Sequence, residues 1–325
     1  MNPARRKLLS AGFAVGAAAC APGIGWANKS ELLRLVVPFA PGGGGDVLGR
    51  LMADKLSAVM GDTIIVENKP GASAVLATDY VAKSAPDGRT ILLTIPLLVQ
   101  TPFLIPKLPY DPITDLVPVI DLVKSPLWLA VSTRNTTATN IQDFIADVHA
   151  NPTKHAFGSL GNGSTSHILG ERINEITKSR MLHVPYKGSA AVTLALMNGE
   201  ISLAILDLVT LQPQLQSGKI RLIGVTGDVR SPLTPEVATL KEQGLNGFEN
   251  LTWAGLFYPA KTPDKTIERL HDAALKVLGD PAIQDRLKGL GYLPGGNSQK
   301  SFAESVAKER AYWKEMIAKT HVTAN

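Results

Sequence analysis

Twice along this chain an apolar run passes directly into a glycine-rich loop and then into an amphipathic helix, and that unit dictates an α/β fold. The first comprises residues 33–38, the loop Pro41-Gly42-Gly43-Gly44-Gly45-Asp46 and a helix over about 46–60, with Leu48, Leu51, Met52 and Val59 on one face. Asp46 is expected to cap its start and Gly61 to end it. A β-branched segment at 63–67, a helix from Pro70-Gly71 to about Ser84, the turn Pro86-Asp87-Gly88 and a strand at 90–94 complete a βαβαβ rhythm. That rhythm predicts a largely parallel sheet with helices on both faces. The second unit runs from 154–159 through Gly161-Asn162-Gly163-Ser164 into a helix over 165–177, a strand at 181–185, a helix at 190–198 stopped by Gly199, and a buried strand at 201–206. No fixed period relates the two units, which disfavours solenoids and propellers. The Pro-rich stretch 101–115 reads as a long surface connection, and helical segments at 264–278, 281–290 and 301–320 are available to wrap the first domain.

The N-terminus sets the compartment. Arg5, Arg6 and Lys7 form a positive region, 8–21 is almost uncharged and apolar, and Gly25-Trp26-Ala27 offers the small residues of a cleavage site, so residues 1–27 are read as a signal peptide and the localisation as the periplasm. Pro22 and the polar Asn28-Lys29-Ser30-Glu31 make the stretch too short to span a bilayer. Arg5-Arg6 fits general and twin-arginine export alike. Cys20 is the chain's only cysteine; Ala17-Ala18-Ala19 before it lacks the leucine of a lipidation motif, and the mature chain would carry no disulfide and no thiolate-bound metal. Of 33 basic residues three leave with this segment, against 28 acidic ones, so the net charge falls from +5 to +2. Without a concentrated basic patch, nucleic acid is not a partner.

The two glycine loops carry the chemistry. Missing side chains let backbone N–H groups approach a ligand, and the following helix adds partial positive charge, which suits an anion. Glycine composition alone leaves a tight turn equally open. In the second loop Asn162, Ser164, Thr165 and Ser166 add side-chain donors and acceptors, and loops on different domains could hold opposite ends of one ligand. Gly42 to Gly45 lacks the dinucleotide fingerprint, and no Gly-Lys-Ser/Thr follows it, so nucleotide binding is disfavoured and no cofactor is expected. The histidines at 149, 155, 167, 183, 271 and 321 lack zinc spacing, and no metal site is expected; His167 is the one beside a glycine loop. Ser159 and Ser164 do not form a Gly-x-Ser-x-Gly elbow. Asp207 follows an apolar strand, where a carboxylate must face a cleft, a cap or an ion pair.

A set of ordered motifs then converges on one family. Leu35-Val36-Val37-Pro38-Phe39-Ala40-Pro41-Gly42-Gly43-Gly44-Gly45-Asp46, Val66-Glu67-Asn68-Lys69-Pro70-Gly71-Ala72, Ala85-Pro86-Asp87-Gly88, Leu108-Pro109-Tyr110-Asp111-Pro112, Gly161-Asn162-Gly163-Ser164, His183-Val184-Pro185-Tyr186-Lys187-Gly188 and Ser217-Gly218-Lys219-Ile220-Arg221 resemble the Bug receptors, the TctC-type extracytoplasmic binding proteins of tripartite tricarboxylate transporters. The resemblance implies a periplasmic-binding-protein-like Venus flytrap of two α/β lobes joined by a two-crossing hinge, one lobe from 28–130 plus 253–325 and the other from 131–252. It implies ligand-binding positions at Phe39, Pro41, Gly42, Gly43, Gly44, Gly45, Asp46, Gly161, Asn162, Gly163, Ser164, Thr165, Tyr186 and Asp207. The implied partners are a small carboxylate and inner-membrane transporter subunits or a sensor protein, with a monomeric, non-catalytic receptor. An exported enzyme acting on a small carboxylate is the competing reading, and no nucleophile and base can be assembled for it. Two segments depart from the family pattern, Ser73-Ala74-Val75-Leu76-Ala77 and Ile95-Pro96-Leu97-Leu98; if they line the cleft, they favour a ligand with an apolar or aromatic body.

Overall fold

The structure, a computed structural model, describes residues 32–320 and 322–323. The export segment read at 1–27 lies outside them. The chain opens with β1 (Leu32–Val37), α1 (Gly44–Met60), β2 (Thr63–Asn68), α2 (Val75–Ala82), β3 (Thr90–Thr94), α3 (Leu97–Gln100) and β4 (Leu116–Ser125). It continues through β5 (Trp128–Ser132), α4 (Ile141–Ala150), β6 (Ala156–Ser159), α5 (Thr165–Thr177), β7 (Leu182–Pro185), α6 (Ser189–Asn198), β8 (Leu203–Leu206), α7 (Leu208–Leu215) and β9 (Ile220–Val225). The remainder is β10 (Thr252–Pro259), α8 (Asp264–Gly279), α9 (Pro281–Gly289), β11 (Leu293–Pro294) and α10 (Gln299–Thr320).

These strands form two sheets, in the orders β11-β4-β10-β3-β1-β2 and β7-β6-β8-β5-β9. The βαβ units give parallel neighbours as expected: β1 with β2 and β3, β6 with β7 and β8. Both sheets are nonetheless mixed, which corrects the expectation of a largely parallel sheet. The physical reason is the double crossing. β10 returns from the second sheet and inserts antiparallel between β3 and β4, and β5 enters the second sheet antiparallel to β8 and β9. The chain leaves the first sheet after Ser125 and re-enters it at Thr252. A boundary at 130/131 falls inside β5, whose Trp128 already pairs with Leu206 and Val225.

Each sheet is covered on both faces, making two α/β lobes. In the first, Leu48, Met52 and Leu56 of α1 and Leu270, Ala274 and Val277 of α8 cover one face. The other face buries Ala77 and Val81 of α2, Leu98 of α3, and Phe302, Val306 and Trp313 of α10. In the second lobe Phe144 of α4 and Leu169 and Ile173 of α5 pack on one face, and Val192 and Leu196 of α6 and Leu211 of α7 on the other. The stretch 101–115 is a surface connection only in part: Lys107, Pro109, Asp111, Ile113 and Thr114 are exposed, but a 3-10 turn at Thr101–Phe103 precedes Leu104, and Leu104 and Tyr110 are buried in the core with α10. Its prolines break helical periodicity, but the apolar residues between them still have a face to bury. No helix among the described residues is long and apolar enough to cross a membrane.

Candidate functional site

The first glycine loop is held in place by its neighbours. After buried β1 the chain turns at Gly42, whose φ of +85° is left-handed, and Gly43 stands at the helix N-cap with no side-chain cap. Added methyls at the next positions would meet close neighbours: at Gly43 the Ser189 hydroxyl at 3.0 Å, at Gly44 the Asp207 carboxylate at 2.7 Å, and at Gly45 the Phe39 ring at 2.8 Å. Helix α1 therefore starts two residues before the expected point. Asp46 does not cap it but sits in its first turn, 3% exposed, clamping the loop from behind. Its Oδ2 accepts the Gly42 N–H and Arg50 Nε, both at 3.0 Å, and its Oδ1 accepts Asn68 Nδ2 at 2.9 Å. Burial opposes its charge, but the bonds from Arg50, Gly42 and Asn68 outweigh that and hold the carboxyl below its ordinary range.

The second loop is braced in another way. Gly161 and Gly163 take φ of +125° and +73°. Ser164 is the N-cap of α5, accepting from His167 N, and its hydroxyl donates to Gly161 O at 2.7 Å. His167 Nδ1 accepts the Gly163 N–H at 2.9 Å, and its ring stacks on His183 at 3.6 Å between centroids. Burial holds His183 at about 4; burial, aided by repulsion from His183, holds His167 at about 3, so both rings are neutral under the loop. His183 Nε2 lies 2.6 Å from Ser159 Oγ. This serine is fully buried and does not line the cleft between the lobes, so the pair braces β6 rather than presenting a nucleophile.

Between the lobes lies a cleft of about 80 Å³, room for several waters. Of the residues expected at a site, Phe39, Gly43, Gly44, Gly45, Thr165 and Asp207 line it. Pro41, Gly42, Asp46, Gly161, Asn162, Gly163, Ser164 and Tyr186 do not; they shape the two loops or flank them. Asp207 caps α7, accepting the Val209 N–H at 3.1 Å, and meets Gly44 from the opposite lobe. It is half-buried; burial pushes its carboxyl up to about 6, against the amides of Val209, Asp207 and Thr210. No lysine, arginine or histidine lines the cleft, and no cluster of three metal-ligating side chains occurs among the described residues.

Sequence reasoning missed Ser189, Ser125, Thr252, Trp253 and Tyr292, all lining the cleft. Ser189 had a signal: Gly188-Ser189 between β7 and α6 repeats the same strand, glycine, helix order, and its hydroxyl accepts the Gly44 N–H at 3.4 Å across the lobes. The others come from β4, β10 and the approach to β11, apolar stretches without motif. Of the two departing segments, Ile95 alone lines the cleft; Leu98 is core, Val75 packs beside the core and Leu76 is 57% exposed.

Further bonds join the lobes: Ser73 Oγ donates to Asn162 O at 2.6 Å, Gln100 Nε2 to Thr165 Oγ1 at 2.9 Å with Thr165 Oγ1 returning to Gln100 Oε1 at 3.3 Å, and the Tyr312 phenol to Gly247 O at 3.3 Å.

Comparison with known proteins gives this geometry its family. Residues 48–322 match the model of the tripartite tricarboxylate transporter family receptor, TctC. The UPF0065 protein in the tcbD-tcbE intergenic region of Pseudomonas sp. strain P51 is 34% identical over 92% of this chain and 89% of its own length. Rpa4515 of R. palustris, solved with adipate, superposes with a TM-score of 0.87 at 32% identity over 91% of this chain and 99% of its own. MatC of Rhodopseudomonas palustris, solved with bound malate, gives 0.84 at 29% identity over 89% and 99%. The match runs from α1 to the C-terminus and the two-lobed fold is shared, so this chain belongs to the TctC family of tripartite tricarboxylate transporter receptors.

Proposed function

We propose that this chain is a non-catalytic, monomeric periplasmic receptor whose lobes close around a small carboxylate and deliver it to the membrane subunits of a tripartite transporter. The observation that carries the reading is convergence: the uncapped N-terminus of α1 from one lobe and the starts of α5, α6 and α7 from the other meet at one cleft. Backbone N–H groups and aligned helix dipoles there suit an anion without any cationic side chain. The lobes of the proposal are 32–125 plus 252–323 and 128–249, hinged at 126–127 and 250–251, because Val237, Leu240 and Phe248 are buried in the core of the second lobe. A ligand touching both lobes is bound fully only when they are closed, so capture shifts the population toward the form a membrane partner can recognise. The Ser159–His183 pair, whose serine is fully buried and neither of whose residues lines the cleft, supports a receptor without chemistry. Two relatives solved with dicarboxylates, adipate and malate, support the ligand class.

The ligand's body is apolar in this reading. Phe39, Leu48, Ile95, Leu127 and Trp253 face the space beyond the glycine loop, and burying polar ligand groups against them would forfeit hydrogen bonds to water. Calorimetric titration of the mature protein with adipate, malate, citrate and benzoate tests the proposal. Adipate or benzoate is expected to bind more tightly than citrate. Tightest binding of citrate would remove the apolar preference, and no binding by any of the four would remove the carboxylate reading.

A further inference from the structure

The cleft holds a carboxylate of its own where the proposed ligand brings one or two more. Its lining contains no lysine, arginine or histidine, and Asp207 and the Tyr292 phenol are its only titratable side chains. Ionised Asp207 and a bound dianion would enclose three negative charges with nothing but amide dipoles and hydroxyls opposite them. Burying unpaired charge is costly enough that a group takes up a proton instead.

Every element around Asp207 leaves that charge unrelieved. From α1 it faces Gly44; the nearest charges of that helix, Asp46 and Arg50, are paired with each other on the far side of the loop. α6 brings only the neutral Ser189 to the same cleft, and α7, Leu208–Leu215, contains no titratable residue. From the approach to β11 it faces Tyr292, whose phenol is pushed well up by burial and by Asp207 itself.

We infer that Asp207 enters the ligand-bound state as the neutral acid, its new O–H donating to a ligand carboxylate, so that capture of each ligand takes up one proton from solution. This rests on the carboxylate reading above and specifies how the cleft balances charge. The proton moves from the buffer acid to an Asp207 oxygen; no other bond changes. The ligand-free carboxyl already lies at about 6, near enough to neutrality for an adjacent anion to complete the transfer. Asp207 thereby selects for acceptors: a ligand end offering a carboxylate is matched by its O–H.

Adipate, malate and benzoate titrated into the mature protein at pH 7.5, in buffers of different ionisation enthalpy, give the proton count directly. Uptake of about one proton is expected for each binding ligand, with affinity about tenfold weaker per pH unit from 7 to 8. In Asp207→Asn the uptake should vanish and affinity should change less than about twofold over the same range. As a readout independent of any variant, the Asp207 carboxyl ¹³C shift of the wild-type protein should move to its protonated value on saturation. Binding without proton uptake, uptake surviving in Asp207→Asn, or an ionised Asp207 in the complex overturns the inference while leaving the carboxylate reading intact. Absence of binding by all three acids overturns both.

Discussion

A methyl group on Gly44 would sit 2.7 Å from Asp207 Oδ2, and the two residues belong to opposite lobes. Gly44→Ala therefore obstructs closure without touching the core of either lobe. Ligand affinity is expected to fall at least about tenfold with thermal stability nearly unchanged, because side-chain packing inside each lobe is untouched. Gly42→Ala is the informative contrast: its added methyl meets nothing within 4 Å, but the φ of +85° costs roughly 1–2 kcal/mol for a non-glycine residue. That variant should lose stability more than affinity, and paired calorimetry and thermal melts distinguish the two. The stacked histidines govern acid stability. His167 and His183 sit at about 3 and about 4 when folded, against an ordinary 6.5. Their folded values are depressed, so the stability linked to them is whole above 6.5 and is lost as pH falls toward 4 and 3. His183→Phe keeps a ring in the stack and removes one of these titrations; its melting temperature should decline less steeply than wild type between pH 6.5 and 4. Parallel declines would dissociate the pair from acid unfolding.

At the scale of elements the unusual segment is the strap before α2. Ala72, Ser73 and Ala74 all have positive φ, 47°, 52° and 71°, although none is glycine, and Ser73 reaches across to Asn162 O. Exposed Ala72 has no burial to lose, so Ala72→Gly trades roughly 1–2 kcal/mol of left-handed strain against roughly 0.5–1 kcal/mol of extra unfolded-chain freedom. Net stabilisation of about 0.5 kcal/mol or more is expected in urea unfolding, the reverse of the usual glycine effect; destabilisation would mean that the strap is relaxed. Nothing in Pro-Gly-Ala-Ser-Ala announces this conformation, since alanine and serine signal helix or turn. By contrast the span of α5 was legible to the residue, because Ser164 supplies a cap and the apolar spacing is regular, and the end of α1 was legible because Gly61 adopts φ +73°. The candidate site was legible where loop chemistry announced it, at Gly43 to Gly45, Thr165 and Asp207. It was illegible at Ser125, Thr252 and Trp253, whose strands look like any buried strand until the double crossing brings them to the hinge.

For the whole molecule, the question is what holds two lobes shut. Among the described residues polar side chains tie them together at four places: Gly44 to Ser189, Ser73 to Asn162, a reciprocal pair between Gln100 and Thr165, and Tyr312 to Gly247. Opening returns each group to water, so each bond is worth only about 1 kcal/mol net, and the closed form is poised for a ligand to bias. Gln100 and Thr165 carry the largest lever because both are buried, at 0% and 7% exposure. Gln100→Leu keeps the bulk of the side chain but leaves the Thr165 hydroxyl without its partner, and only in the closed state is that hydroxyl shut away from water. The penalty of roughly 1–3 kcal/mol for an unsatisfied buried group then falls on closure alone, and at 1.4 kcal/mol per decade it predicts ligand affinity reduced about five- to hundredfold. Small-angle scattering should show the variant needing correspondingly more adipate, or whichever acid binds, to reach the compact form, with the fully liganded dimensions unchanged. Equal affinity in Gln100→Leu and wild type would mean that closure depends on the ligand and the hinge alone.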